Sequence, residues 1–111
     1  MPNERLEKAL RLLGLAARAG RIVPGVSLIC TALSKGGAKA PLLVLEACDS
    51  SENSHKRITD RTAYYRVPCY RLPCDTAALA TAVGKRDGAL AAVGITEPHL
   101  ANEIAALLKQ P

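Results

Sequence analysis

The sequence has no Trp, no Phe and only three Tyr, namely Tyr64, Tyr65 and Tyr70. This argues against two sheet types that read nucleic acid by stacking bases, the RNA-recognition motif and the OB fold. Any nucleic-acid recognition would have to use backbone amides, polar side chains and cations. No apolar run approaches the ~20 residues of a membrane span. Pro2-Asn3-Glu4-Arg5 leads into an amphipathic segment rather than a continuous apolar one, so no secretory signal is expected and the chain is placed in the cytoplasm. The four cysteines, Cys30, Cys48, Cys69 and Cys74, contain no C-x-x-C pair. Reduced, metal-free thiols are expected in that compartment. A zinc site using Cys69, Cys74 and a distant His stays open.

Catalytic signatures are scarce as well. Neither G-x-x-x-x-G-K-[ST] nor G-x-G-x-x-G occurs, so nucleotide-phosphate loops of those types are absent. Ser50 and Ser51 stand at a helix start, where capping is their ordinary work. His55 and His99 have no evident nucleophile beside them and read as surface or helix-start residues. The carboxylates are scattered singly. Glu46, closing an apolar run, is the one acid with catalytic potential, against the plainer reading of a surface residue at a strand end.

What is present is an ordinary globular mixture. The 111 residues suffice for one domain with a core. With 49% hydrophobic and 23% charged residues, disorder is not expected. The net charge is +5 and the excess lies at the front: residues 1–40 carry Arg5, Lys8, Arg11, Arg18, Arg21, Lys35 and Lys39 against Glu4 and Glu7. A small basic domain favours polyanions, nucleic acid first.

Taken in order, Asn3 and Glu4 open a helix over Glu4–Ala19, with Leu6, Ala9, Leu10, Leu13, Ala16 and Ala17 at helical spacing and Gly20 as its stop. Lys8, Arg11 and Arg18 fall on its exposed side. A short strand follows at Arg21–Val23, then Pro24-Gly25. The second helix opens at Val26 and stops at Gly36-Gly37, with Val26, Ile29, Cys30 and Leu33 as its buried stripe. A glycine leads this helix, so free N–H groups and the positive dipole end would stand open there, suited to a phosphate or a base edge. Leu42–Ala47 reads as a buried strand. Asp49 followed by Glu52 has the capping-box spacing and opens a polar third helix, Ser50–Tyr65, which carries His55, Lys56, Arg57 and Arg61 around Ile58. Pro68–Leu72 is a strand suited to a sheet edge. Asp75 caps a short fourth helix, Thr76–Val83, closed by Gly84. Lys85-Arg86-Asp87-Gly88 is a basic turn and Ala89–Ile95 a central strand. Thr96 is the expected cap of the fifth helix, with Pro98 in its first turn and Leu100, Ile104, Leu107 and Leu108 as its stripe. This alternation predicts a small α/β protein, a three-layer α-β-α sandwich around four strands.

With the elements placed, the chain resembles the small ribosomal-protein family of kink-turn RNA binders, and within it the bacterial YlxQ branch. The resemblance rests on Leu13-Gly-Leu-Ala-Ala-Arg-Ala-Gly20, Gly25, Leu45-Glu-Ala-Cys-Asp-Ser-Ser-Glu-Asn53, Tyr64-Tyr-Arg-Val-Pro68 and Leu79-Ala-Thr-Ala-Val-Gly-Lys85. It covers nearly all of the chain and implies a mixed four-stranded sheet, a single RNA-binding domain over residues 1–111, no catalytic activity, no metal and no cofactor. The implied partner is structured RNA, ribosomal RNA or the ribosome itself, bound by a monomer. In the family, RNA lies across the mouth of the second helix and the loop before the last strand. In this chain those are Gly25–Thr31 and Gly84–Gly88. The candidate RNA-binding residues are Arg21, Gly25, Val26, Ser27, Leu28, Thr31, Lys35, Lys85 and Arg86, with Arg21 and Lys35 expected beside the helix mouth. Ser27, Leu28 and Thr31 stand where the best-known kink-turn binders have Asn, Glu and Lys, and Ala80 where many relatives have Gly. That departure keeps a second class open, a protein-interaction module of the same fold. A third, an enzyme for a small molecule, would need a polar pocket of several hundred cubic ångströms.

Overall fold

The two continuous apolar runs form the middle of a four-stranded sheet. The structure is a computed structural model that describes residues 3–85 and 88–109. Its elements are α1 (Asn3–Arg18), β1 (Ile22–Pro24), α2 (Val26–Lys35), a 3-10 turn (Gly37–Lys39), β2 (Leu43–Glu46), α3 (Glu52–Tyr64), β3 (Cys69–Arg71), α4 (Thr76–Ala82), β4 (Ala92–Ile95) and α5 (Pro98–Lys109). The strand order is β1-β4-β2-β3. β4 runs antiparallel to both β1 and β2, whereas β2 and β3 are parallel and joined through α3. The sheet is mixed, as the resemblance implies. Every residue of β2 and β4 is buried, while the edge strands β1 and β3 are only partly so.

Alternation along the inner strands sorts the core into two layers. Leu43, Leu45, Val93 and Ile95 pack with Ala9, Leu13 and Ala16 of α1, Leu79 and Ala80 of α4, and Ala101 and Ile104 of α5. Val44 and Ala92 face the other way, onto Ile29 and Leu33 of α2 and Ile58 of α3. Three helices therefore cover one face of the sheet and two cover the other, which makes the predicted sandwich. The polar α3 can serve because only Ile58 and Thr62 of it are buried.

Local corrections have local causes. β4 begins at Ala92 rather than Ala89, because Leu90 N–H donates to Thr76 O (3.0 Å) and Ala91 O accepts from Ala47 N–H (2.9 Å), outside the ladder. Asp49 does not cap α3. Ser51 does, accepting from Ser54 N–H (3.1 Å), while the Asp49 carboxylate accepts from Thr76 N–H (2.8 Å) at the start of α4. Asp75 caps α4 as expected, accepting from Ala78 N–H (2.7 Å). Thr96 does not cap α5. Its N–H donates to Arg21 O (3.0 Å), prolonging the β1–β4 pairing. The Glu97 carboxylate takes the helix-start amides instead, from Leu100 N–H (2.7 Å) and His99 N–H (3.2 Å). Those bonds, Leu100 first, hold its carboxyl below the usual carboxylate range.

Candidate nucleic-acid interface

α2 starts on a backbone that only glycine adopts without strain. Gly25 has φ 103° and ψ 147°. Its N–H donates to Ala92 O (2.9 Å) and its C=O accepts from Ile29 N–H (3.0 Å). No side chain caps the helix. The N–H groups of Val26, Ser27 and Leu28 thus lack intrahelical acceptors, at the positive end of the dipole. A β-carbon at Gly25 would meet nothing within 4 Å, so the mouth is open. Ser27, Leu28 and Thr31 are exposed and Val26 is half-buried.

The bond from Gly25 to Ala92 decides what else stands at this mouth. Ala92 opens β4, so the connection from α4 arrives at the same end of the sheet. Lys85 stands exposed at the start of that connection, its N–H held by Ala80 O (2.9 Å). Arg86 lies outside the described residues. The chain therefore brings the helix mouth and the start of β4 to one sheet end, although they are far apart in sequence.

Arg21 and Lys35 are placed differently. β1 rises from Arg21 to Gly25 and α2 returns over about 15 Å, at 1.5 Å per residue. Arg21 and Lys39 line one groove, and Lys35 and Lys39 line the next. These cations therefore gather at the far end of α2, not around its N-terminus. Closeness to Gly25 in sequence was misleading, because a strand and a helix that double back put their remote ends together.

Sequence reasoning also missed a buried acid. Glu46 is only 2% exposed rather than a surface residue. It shares the sheet face of Val44, beneath α2 and α3, because β2 alternates. A carboxylate there needs partners. His55 Nδ1 lies 2.8 Å from Oε2 and 2.9 Å from Oε1, and Ser50 Oγ donates to Oε2. The signal in the sequence was an acid inside an apolar run followed by polar residues at a helix start.

α2 and α3 run side by side in the same direction, since each follows a strand antiparallel to β4, and Cys30–Lys35 face Arg57–Arg61 across a groove of about 470 Å³. Thr31, Ser34, Lys35, Arg57, Asp60 and Arg61 line it. Its size and polarity meet the pocket criterion for an enzyme. Among the described residues no hydrogen bond links Cys30, Thr31 or Ser34 to a base.

No protein-family model matches the chain. The RNA-binding protein YlxQ of Bacillus subtilis (strain 168) is 38% identical over 97 residues, which span 87% of this chain and 91% of that protein. The chain belongs to the YlxQ family. The RNA-binding protein YlxQ of Enterococcus faecium is 41% identical over 66 residues, 60% of this chain and 61% of that relative. Among solved structures, a protein of unknown function from Bacillus halodurans superposes with a TM-score of 0.82 at 27% identity, covering 93% of this chain and 98% of that one. The Giardia lamblia 15.5kD RNA binding protein reaches 0.77 at 18% identity, covering 97% and 88%, and shares the fold.

Among the described residues of this YlxQ-family chain, no helix is long and apolar enough to cross a membrane, and no three His, Cys, Asp or Glu side chains gather as metal ligands. All four thiols are free. Burial, and then Glu46, push Cys69 up to about 11. Burial, and then Cys48, Asp75 and Asp49, do the same for Cys74. At pH 8 about a thousandth of each would be thiolate. Iodoacetamide should therefore alkylate exposed Cys48 promptly and leave Cys69 and Cys74 largely unmodified until the protein is denatured, as peptide mass mapping would reveal. The two thiols also couple folding to pH: unfolded, they ionise near 9.0. Their contribution to stability is intact below that and declines as pH rises from there to about 11.

Proposed function

We propose that this chain is a non-enzymatic RNA-binding protein of the translation apparatus. It binds structured RNA, ribosomal RNA foremost, as a cytoplasmic monomer that needs neither cofactor nor metal. RNA lies across Gly25–Thr31 at the start of α2 and across the basic turn Lys85-Arg86. The observation that carries this reading is the uncapped, open, glycine-led start of α2, tied by Gly25 N–H to the strand that the basic turn enters. Backbone N–H groups there meet phosphate or a base edge without a side chain in the way. The names of the YlxQ relatives support RNA as the ligand class.

The exposed positions 27, 28 and 31 carry the choice of RNA. Ser27 and Thr31 can each make one or two neutral hydrogen bonds, and Leu28 makes none. Affinity for a kink-turn should therefore exceed that for a plain duplex only modestly, and Ser27→Asn, Leu28→Glu and Thr31→Lys together should widen the difference. The test titrates the wild type and a Lys85→Ala/Arg86→Ala variant against both RNAs at several salt concentrations. The variant should bind both more weakly by the same factor, with the log–log salt slope flatter by roughly 0.7–0.9 per lost phosphate contact. A variant that matches wild type in affinity and slope would move RNA away from this turn.

One feature favours a protein partner instead. Leu28 is 56% exposed and borders a groove with Ile22, Val23, Pro24 and Ala32. A wild type that binds neither RNA at low salt would turn the assignment to that interaction module.

A further inference from the structure

The groove between α2 and α3 carries charge that the proposed interface leaves unused. Lys35, Arg57 and Arg61 line it with the hydroxyls of Thr31 and Ser34. Among the described residues none of these three cations has a carboxylate within ion-pair distance, although Asp60 lines the same groove. On α3, Arg57, Arg61 and Tyr64 are spaced i, i+4, i+7, which puts them on one helix face. Tyr64 is 75% exposed, the most exposed of the large apolar side chains among the described residues. Its ring is braced edge-on by Tyr65, with centroids 4.9 Å apart. A row of unpaired cations, two hydroxyls and then an exposed, braced aromatic ring is the pattern that follows a nucleic-acid strand: cations for phosphates, the ring for a base.

We propose that this groove is a second RNA-binding element, holding an unpaired strand that leads away from the helix mouth toward Tyr64. The inference rests on the RNA-binding reading and extends it to a strand beyond the structured core. Single-stranded RNA is favoured over duplex because a base can stack on Tyr64 only when it is unpaired. It is favoured over an acidic protein because Arg57 and Arg61 are followed on the same face of α3 by the Tyr64 ring rather than by a further cation. From Thr31 to Lys35 the groove follows the C-terminal half of α2, so the strand enters from the mouth and leaves along α3. Asp60 opposes phosphate, which gives the proposal a test of opposite sign.

The experiment compares a kink-turn hairpin with the same hairpin carrying a single-stranded extension, by titration of the full chain at several salt concentrations. Wild type should bind the extended RNA more tightly. Arg57→Gln/Arg61→Gln should lose that gain and flatten the salt slope for the extended RNA by about 1.4, at about 0.7 per single-strand contact. Tyr64→Ala should weaken binding of the extended RNA about tenfold, with the slope unchanged. Asp60→Asn should bind it more tightly than wild type. Lys8→Gln/Arg11→Gln removes equal charge from α1, on the other side of the sheet, and should leave the gain from the extension intact. If the extension adds nothing in wild type, or the α1 variant loses as much as the α3 variant, the groove is not a strand site. In that case a loss of hairpin binding in Gly25→Asp would leave the helix-mouth reading standing. A wild type that binds neither RNA overturns both.

Discussion

Gly25→Asp should reduce RNA affinity by at least about a hundredfold while the protein stays folded. The loss has two parts. A carboxylate would stand where phosphate meets the N–H groups of Val26, Ser27 and Leu28, and its charge would repel the ligand. Hydrogen bonds to a charged group contribute about 1.5–3 kcal/mol each, so two lost at this mouth account for the hundredfold. Folding should survive because a β-carbon at Gly25 meets nothing within 4 Å. The backbone at φ 103° does impose strain of about 1–3 kcal/mol. An acid at a helix N-terminus offsets part of this, by about 0.3–1 kcal/mol. Gly25→Ala separates the two parts, since it has the strain without the charge, and its affinity loss should be about tenfold or less. Circular dichroism establishes folding, and titration against structured RNA measures the loss. A folded Gly25→Asp that binds as tightly as wild type would show that RNA does not use this helix mouth.

Gly94→Val should be the most destabilising exchange for one glycine in the sheet. Gly94 lies at the middle of β4, paired with Val23 on one side and Val44 on the other. A β-carbon there would sit 2.7 Å from Pro41 Cβ and 3.0 Å from Pro41 Cγ, with Val23 Cβ at 3.7 Å. Pro41 is a rigid ring, itself buried, and cannot swing aside as a long side chain would. Overpacking of this kind costs about 1–3 kcal/mol and more where the backbone is pinned on both sides. We expect about 3 kcal/mol, a fall in Tm of roughly 12 °C for a domain of this size. Gly94→Ala carries the same β-carbon clash without the further methyls and should already show much of the loss. Calorimetry checks both values, and a Gly94→Val protein that melts within about 2 °C of wild type would mean that β4 or Pro41 moves freely.

Much of this protein was decided by local pattern. Leu42–Leu45 and Ala89–Ile95 carry no polar side chain, so buried inner strands suit them, and β2 and β4 are those strands. The stripe through Ile29 and Leu33 and the stops at Gly20 and Gly36 set the helices around them, because a 3.6-residue period and a positive φ are properties of neighbouring residues. Gly25 as an open helix start was legible for the same reason. The tertiary structure alone decided which ends meet. The 2.9 Å bond from Gly25 to Ala92 brings the approach to β4 up to the mouth of α2, and no local pattern encodes a pairing between segments nearly seventy residues apart. The same folding carries Arg21 and Lys35 away from Gly25, turns Asp49 to α4, and buries Glu46 against His55. Side-chain partners of this kind depend on strand register and on the direction of neighbouring helices, and both are set by burying the whole apolar surface together rather than by any one segment.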